Sequence, residues 1–361
     1  MRRACLLTCV SLLLSLTALG RPPDSTRLVH QVGLKLHQGF VLVHSRDVRP
    51  MRNSYPTGLA LDFAWQKVSE RAWNACHCYP RLGFSLTGWN YGHDDILGQG
   101  VTGMFFIEPL FGAWRKVSFS IRAAFGLSYQ NRPYDARRNP DNRSYSTFVA
   151  FPLQLGGSAH IRLGPQWTLD ISALYNHFSN GGIREPNAGV NWPTMAIGLG
   201  HYLQAPRFQN RTRYDWRENA TPQTRIDLVF FMGFQEPRSK MYLFSPGFEL
   251  KYSRQVTRLS ALTAGGEWLV DNGARYLQEV AGKSNDWNKG GIALGHEFLL
   301  GKVLFSQQFG VYVYNKIPGS ADVYQRYGLT YRLLPRLQAG ISLKAHGHVA
   351  DFLDFRIGFS L

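Results

Sequence analysis

The stretch VSFSIRAAFGLSY, Val117 to Tyr129, alternates without a break. In an extended chain successive side chains point to opposite sides. Val117, Phe119, Ile121, Ala123, Phe125, Leu127 and Tyr129 therefore share one face, and Ser118, Ser120, Arg122, Ala124, Gly126 and Ser128 the other. The first face is apolar from end to end, and the second is small or polar. A sandwich strand shows the same period over a shorter run and carries more charge outside. A run this long suits a strand crossing a membrane in a barrel, with lipid on one side and a polar lumen on the other.

The same period recurs in about sixteen segments bounded by Gly, Pro, Asn and Asp, and no amphipathic helix of comparable length competes with them. The fold class is all-β: a transmembrane antiparallel outer-membrane β-barrel of about 12–16 strands, with an 8+8 pseudo-repeat as the alternative arrangement. Short turns such as Leu163-Gly164-Pro165 contrast with longer polar loops such as Asn131 to Arg143 and Asp271 to Asn288, as barrels require. The long connection from Ala205 to Thr224 divides the chain into a site-bearing half, residues 21–204, a linker, 205–224, and a C-terminal half, 225–361. DFLDFRIGFSL ends the chain with Leu353, Phe355, Ile357, Phe359 and Leu361 on one face. This resembles the terminal strand by which outer-membrane barrels are recognised for insertion. Only one such strand is found, which favours one sixteen-stranded barrel over two smaller ones.

The composition agrees with a barrel. The chain has 36 Gly, 23 Phe, 17 Tyr and 9 Trp, yet its mean hydropathy is slightly negative. MRRACLLTCVSLLLSLTALG, residues 1–20, puts Arg2 and Arg3 before a short apolar run ending in small residues, and reads as a secretory signal peptide cleaved near Gly20. The run is too short to span a membrane as a helix, so export leaves either a soluble protein or a β-barrel. The net charge of +16 fits an anionic lipid surface, and no nucleic-acid motif accompanies it. Sequons at Asn142, Asn210 and Asn219 mark polar loops. Cys76 and Cys78, on either side of His77, do not easily close as a disulfide and supply too few ligands for zinc, so they read as a turn without chemistry.

LYNHFSNGGIREPNAGVN, Leu174 to Asn191, carries the chemistry. His177 and Ser179 continue the apolar parity of Trp167, Leu169, Ile171, Ala173 and Tyr175, and Asn191 opens the parity of Pro193, Met195, Ile197 and Leu199. All three polar residues are thus expected on the outer wall at the membrane rim. Polar groups there cost free energy unless they bond to one another, and a function acting on lipid explains them. The arrangement is that of a serine esterase, with Ser179 as nucleophile, His177 as general base and Asn191 fixing the His177 tautomer. Main-chain N–H groups of Asn180, Gly181 and Gly182 are candidates for an oxyanion hole. Arg184 is a candidate partner for a lipid phosphate.

HFSNGGIREPNAGVN resembles the active-site segment of the PagL-type lipid A 3-O-deacylases, outer-membrane barrels that hydrolyse the acyl ester at the 3-position of lipid A. The resemblance makes His177 base and Ser179 nucleophile, and adds Asn187 to Gly182 as an oxyanion donor. It covers roughly the N-terminal half, including YPRLGFSLTGWNYGHDDILGQG from Tyr79, which resembles the double-length acyloxyacyl hydrolases. The family places glutamate where this chain has Asn191. Outer-membrane phospholipase A uses His-x-Ser-Asn-Gly with asparagine at that offset, which His177, Ser179, Asn180, Gly181 and Asn191 match.

The implied function is an outer-membrane serine esterase that removes the 3-O acyl chain from lipid A in a Gram-negative bacterium. The expected partners are lipopolysaccharide and membrane lipids, and no cofactor or metal is expected. The alternatives are an outer-membrane phospholipase A, which would imply calcium and a homodimer, and a non-catalytic barrel or pore with a silent site. In the C-terminal half, ISLKAHGHVADF echoes the site strand with His346 but without a serine. It reads either as a degenerate repeat or as a strand alike by default. His93-Asp94-Asp95 reads as a solvated turn, and Arg137, Arg138 and Arg143 as a solvated loop near an anionic surface.

Overall fold

The computed structural model describes residues 28–213, 215–216, 221–238, 241–283, 286–317, 319–347 and 349–361. The expected signal peptide and the sequon at Asn219 lie outside them.

Two closed antiparallel barrels form, each of eight strands taken in chain order. The first contains β1 (Leu28–Gly39), β2 (Thr57–Lys67), β3 (Tyr79–Asn90), β4 (Gln99–Phe111), β5 (Val117–Gln130), β6 (Val149–Arg162), β7 (Trp167–Ser179) and β8 (Val190–Tyr202). It closes where β1 pairs with β8, Leu34 opposite Leu199. The second contains β9 (Thr224–Arg238), β10 (Met241–Thr257), β11 (Ser260–Val270), β12 (Asn288–Leu300), β13 (Val303–Asn315), β14 (Val323–Arg332), β15 (Leu337–His346) and β16 (Val349–Ser360), and closes where β16 pairs with β9. The expectation of one sixteen-stranded barrel is therefore corrected. β8 returns to β1 and not onward to β9, so each half satisfies its own edge strands without the other. The terminal strand β16 closes only the second ring.

The walls are inverted relative to a soluble protein. Phe119, Ile121 and Leu127 of β5 are exposed, while Ser118, Ser120 and Arg122 of the same strand are buried in the lumen. The second barrel repeats this, with Phe355 and Ile357 outside and Asp354 and Arg356 inside. Such a surface is stable only against lipid, and a narrow eight-stranded lumen must be filled by its own side chains.

Buried ions of opposite sign fill it in contact with one another. In the first barrel Asp62 accepts from Lys35 Nζ at 3.0 Å and from Arg122 at 2.7 and 3.1 Å, while Arg81 lies 3.0 Å from Glu108. His160 Nδ1 contacts Asp170 at 2.7 Å. In the second, Glu297 holds Lys251 at 2.6 Å and Arg225 at 2.7 Å, and Glu267 holds Lys344 at 2.5 Å and Arg326 at 2.8 Å. A buried charge is tolerable only with such partners.

Apolar plugs cap this charged centre in the first barrel. At one rim Met51, Trp89, Tyr91, Tyr145, Phe178 and Trp192 pack together, and at the other Val29, Trp73, Tyr79, Leu110 and Tyr202 do. The start of the linker completes the second plug: Phe208 packs on Tyr79 at 5.2 Å, Tyr79 donates to the Gln209 carbonyl at 2.9 Å, and Trp73 Nε1 donates to the Thr212 carbonyl at 3.0 Å.

Among the described residues two short α-helices lie between strands, α1 (Glu70–Cys76) and α2 (Asn272–Val280), besides a 3-10 turn at Arg46–Met51. Ser69 caps α1, its side chain accepting from Ala72 N–H. His77 ends α1 with φ 51, which brings the Cα atoms of Cys76 and Cys78 to 5.0 Å, and the two are disulfide-bonded. This corrects the reading of an unbonded pair. The left-handed residue between them reverses the chain, which the spacing alone did not reveal.

Candidate active site

β7 and β8 pair so that His177 stands opposite Asn191, and β6 pairs with β7 so that Phe151 stands opposite Ser179. The intervening Phe178 points inward and is fully buried in the rim plug with Tyr91, Tyr145 and Trp192. Anchoring Phe178 fixes the opposite face of the strand, so His177 and Ser179 both project outward at the rim. The parity expected from the sequence is what the structure has.

His177 Nδ1 lies 2.6 Å from Asn191 Oδ1. Asn191 Nδ2 lies 3.0 Å from His44 Nδ1, and His44 Nε2 lies 3.0 Å from the Ala188 carbonyl oxygen. One set of protons satisfies these three contacts: His177 Nδ1–H donates to Asn191 Oδ1, Asn191 Nδ2–H donates to His44 Nδ1, and His44 Nε2–H donates to Ala188, while the Leu42 carbonyl oxygen, 3.3 Å from His44 Nδ1, then receives no proton from that ring. These tautomers are assigned from the network. They leave His177 Nε2 as the unprotonated nitrogen.

His44 was missed in the sequence. It follows β1 on a segment that continues along β8, where Leu42 N–H donates to the Asn191 carbonyl at 2.8 Å. A lone histidine 147 positions away from Asn191 carries no spacing signal.

Ser179 Oγ accepts from Gly181 N–H at 3.3 Å, and among the described residues no hydrogen bond joins it to His177. Catalytic bonds are often loose in unliganded sites and tighten with substrate.

The loop after Ser179 is built around Asn180, which is fully buried. Its N–H donates to Asn187 Oδ1 at 2.8 Å, and its side-chain amide donates to the Arg184 carbonyl at 2.5 Å and to Ser146 Oγ at 3.1 Å. Asn180 Oδ1 accepts from Gly182 N–H at 3.1 Å. Of the expected oxyanion donors, the Gly181 N–H is directed at the serine hydroxyl, while that of Gly182 is engaged by Asn180. Asn187 braces the loop, and its own N–H donates to Glu185 Oε2 at 3.0 Å. The Arg184 side chain is exposed.

Gly181, Gly182 and Gly189 have φ 69, 78 and 74, which only glycine adopts without strain. Gly189 passes over the His177 ring: a Cβ there would lie 2.9 Å from His177 Cε1.

Outside this site, His346 lies at the end of β15, the strand topologically matching β7, but it joins Tyr312 on the lumen side, where its Nε2 lies 3.1 Å from the tyrosine hydroxyl. The C-terminal echo thus reproduces the strand position but not the outward face. His93 lies in a turn in which its carbonyl accepts from Leu97 and Gly98 N–H at 2.9 Å. Among the described residues no cluster of His, Cys, Asp or Glu could hold a metal ion. Arg143 makes a surface pair with Asp47 at 3.3 Å.

Comparison with known proteins divides the chain at the same place. The family model of lipid A 3-O-deacylase (PagL) matches residues 57–200, and that of the acyloxyacyl hydrolase C-terminal domain (PagL_C) matches residues 224–361. No curated protein matches the chain. Similar solved structures include a mutant of Rh. blastica porin, at 10% identity over 93% of this chain and 100% of that one, with a TM-score of 0.19. Another is the COG4313 outer membrane channel from Pseudomonas putida F1, at 11% identity over 95% and 100%, with a TM-score of 0.23. A third is Pseudomonas aeruginosa OpdO, at 12% identity over 92% and 96%, with a TM-score of 0.26.

Proposed function

Because this chain belongs to the lipid A 3-O-deacylase (PagL) family and is an outer-membrane β-barrel ester hydrolase acting on lipid A, we propose that Ser179, His177 and Asn191 are its catalytic triad. The observation carrying this assignment is the 2.6 Å contact of His177 with Asn191 on the lipid-facing wall, two residues from a serine of the same parity.

Ser179 Oγ attacks the carbonyl carbon of the 3-O acyl ester while His177 Nε2 takes its proton. The oxyanion of the tetrahedral intermediate is met by the Gly181 N–H, which already points at Ser179 Oγ. The bond between carbonyl carbon and sugar oxygen then breaks, and His177 returns the proton to that oxygen as the 3-hydroxyl leaves. Water attacks the acyl-serine with His177 again as base. The fatty acid departs and Ser179 regains its proton. Every step uses side chains, main-chain N–H groups and water.

Asn191 cannot neutralise an imidazolium as a carboxylate would. Its role is to hold the His177 Nδ1–H tautomer, and His44 keeps the Asn191 amide turned so that Oδ1 faces His177. The site lies at the rim, where an acyl chain can remain in the lipid layer while its ester reaches Ser179. Arg184 is exposed on the loop, which supports a role in meeting a headgroup phosphate. Export through the N-terminal signal peptide, with cleavage near Gly20, belongs to this proposal.

The test is acyl release from lipid A, followed by mass spectrometry for the refolded parent and Ser179→Ala. We expect a 3-hydroxy fatty acid from the parent and a loss of about 10³-fold or more in the variant with the barrels still closed. Equal release by both proteins would refute the assignment.

A further inference from the structure

The site loop touches the second barrel. Gly181 is wedged between Phe151 of β6 and Leu353 of β16: a Cβ on it would lie 3.3 Å from Phe151 Cδ2 and would collide with Leu353 Cδ1. Gly182 meets main chain, its Cβ position lying 3.0 Å from the Asp351 carbonyl oxygen. The residue that supplies the N–H aimed at Ser179 and the residue after it are thus packed on the neighbouring ring.

The part of β16 that they meet is irregular. Ala345 of β15 pairs with Ala350 and Lys344 with Phe352, so Asp351 is an extra residue on β16, a β-bulge. Bulges re-aim the chain and interrupt pairing. This one is anchored from within, by Phe352 fully buried against Phe231 and Leu269 and by the Asp351 carboxylate 3.7 Å from His346 Nδ1. Further along the same outer face Phe355 and Ile357 are 61% and 60% exposed, whereas Leu353 is half-buried beneath the loop. The barrels also meet at the opposite rim, where Arg258 Nη2 lies 2.9 Å from His77 Nε2. The two rings thus touch at both rims.

We infer that the second barrel positions the catalytic loop: Leu353 and the bulged main chain at Asp351 hold the Gly181–Gly182 turn so that the Gly181 N–H stays directed at Ser179. This rests on the triad assignment above. Two adjacent glycines have the largest backbone freedom to lose, so a turn built from them needs an external brace to stay ordered. The Gly181 donor meets a full negative charge only in the tetrahedral intermediates. Loosening the brace therefore lowers kcat and leaves ground-state binding nearly unchanged.

The experiment uses the full chain refolded in detergent as Leu353→Ala, Leu353→Met and, as a control lower on the same face, Ile357→Ala, with barrel closure checked by circular dichroism. Two quantities are read: kcat and KM for acyl release from lipid A, and the rate at which a fluorophosphonate labels Ser179. For Leu353→Ala we expect kcat and labelling to fall about tenfold, with KM within about twofold of the parent. Leu353→Met should regain most of both, and Ile357→Ala should match the parent. If Leu353→Ala does not close, Leu353→Val carries the same expectation at about threefold. Parent-like kcat and labelling in a closed Leu353→Ala barrel, or a rise in KM alone, would overturn the inference while leaving the triad standing. If the parent neither releases acyl chains nor is labelled at Ser179, the triad assignment fails, and this inference with it.

Discussion

Replacing Gly189 with alanine isolates how closely the His177 ring is held. Gly189 has φ 74, and the added Cβ would lie 2.9 Å from His177 Cε1, the carbon between the nitrogen facing Asn191 and the one left for Ser179. The loop cannot recede freely, because Gly189 N–H donates to the Ser144 carbonyl at 2.8 Å and Ala188 N–H to that of Arg143 at 3.1 Å. Two effects follow. Alanine in a left-handed conformation costs about 1–2 kcal/mol wherever it is placed. The ring must also yield by roughly half an ångström to restore an ordinary contact, and a misplacement of about 1 Å can cost about a hundredfold in rate. We therefore expect kcat to fall about tenfold, equivalent to about 1.4 kcal/mol of barrel-independent transition-state stabilisation. Gly301→Ala is the control: Gly301 has φ 73 but nothing within 4 Å of its Cβ position, so it carries the backbone strain without the collision. Acyl release from lipid A by both variants, normalised to closed barrel, separates the two effects. A Gly189→Ala variant that keeps kcat within about twofold of Gly301→Ala would show that the ring is not held as described.

Asn191→Ala should lower kcat about tenfold or more by freeing the His177 tautomer, and Asn191→Asp should recover activity, since a carboxylate both orients and stabilises an imidazolium; equal rates for the two variants would contradict the orienting role. His44→Ala should lower kcat several-fold with little change in thermal stability, since its bonds to Asn191 and to the Ala188 carbonyl are both at the surface and its effect on the site runs through Asn191; an unchanged kcat would remove His44 from the site. Arg122→Ala takes from the buried Asp62 carboxylate its bidentate cation and leaves it Lys35 and the Ser85 side chain, and should destabilise the first barrel by about 3–5 kcal/mol in denaturant titration; a loss below about 1 kcal/mol would mean that water enters the lumen. The Asp135 loop carboxylate accepts from the Arg137 and Arg138 N–H groups, both at 2.9 Å, which hold it below the usual range. Its contribution to loop order is present above the unfolded value and lost as pH falls through the lowered one. A carbon-detected NMR titration should give a midpoint below about 3.9, and a midpoint at or above that value would refute these bonds.

The sequence by itself determined the kind of fold and the face on which the site lies. Alternation is a local property: Phe119 and Ile121 against Ser120 and Arg122 decide which side meets lipid, whatever ring the strand joins. The same rule put His177, Ser179 and Asn191 on one wall, because parity is fixed within each strand and the intervening loop does not alter it. Closure is not local. Whether β8 pairs with β1 or runs on to β9 depends on the tilt and stagger accumulated over eight strands, and a single terminal strand pattern misled the count of barrels. Residues distant in the chain were hidden for the same reason. His44 reaches Asn191 only because β1 closes on β8, and Leu353 reaches Gly181 only because a second ring stands beside the first. The disulfide of Cys76 with Cys78 depends on one left-handed residue, His77, whose backbone angle no composition announces. The sequence could place His177, Ser179 and Asn191 on one wall because they lie on two adjacent strands, but the groups around the proposed triad were left to the tertiary structure, because they become neighbours only when the barrels close and dock.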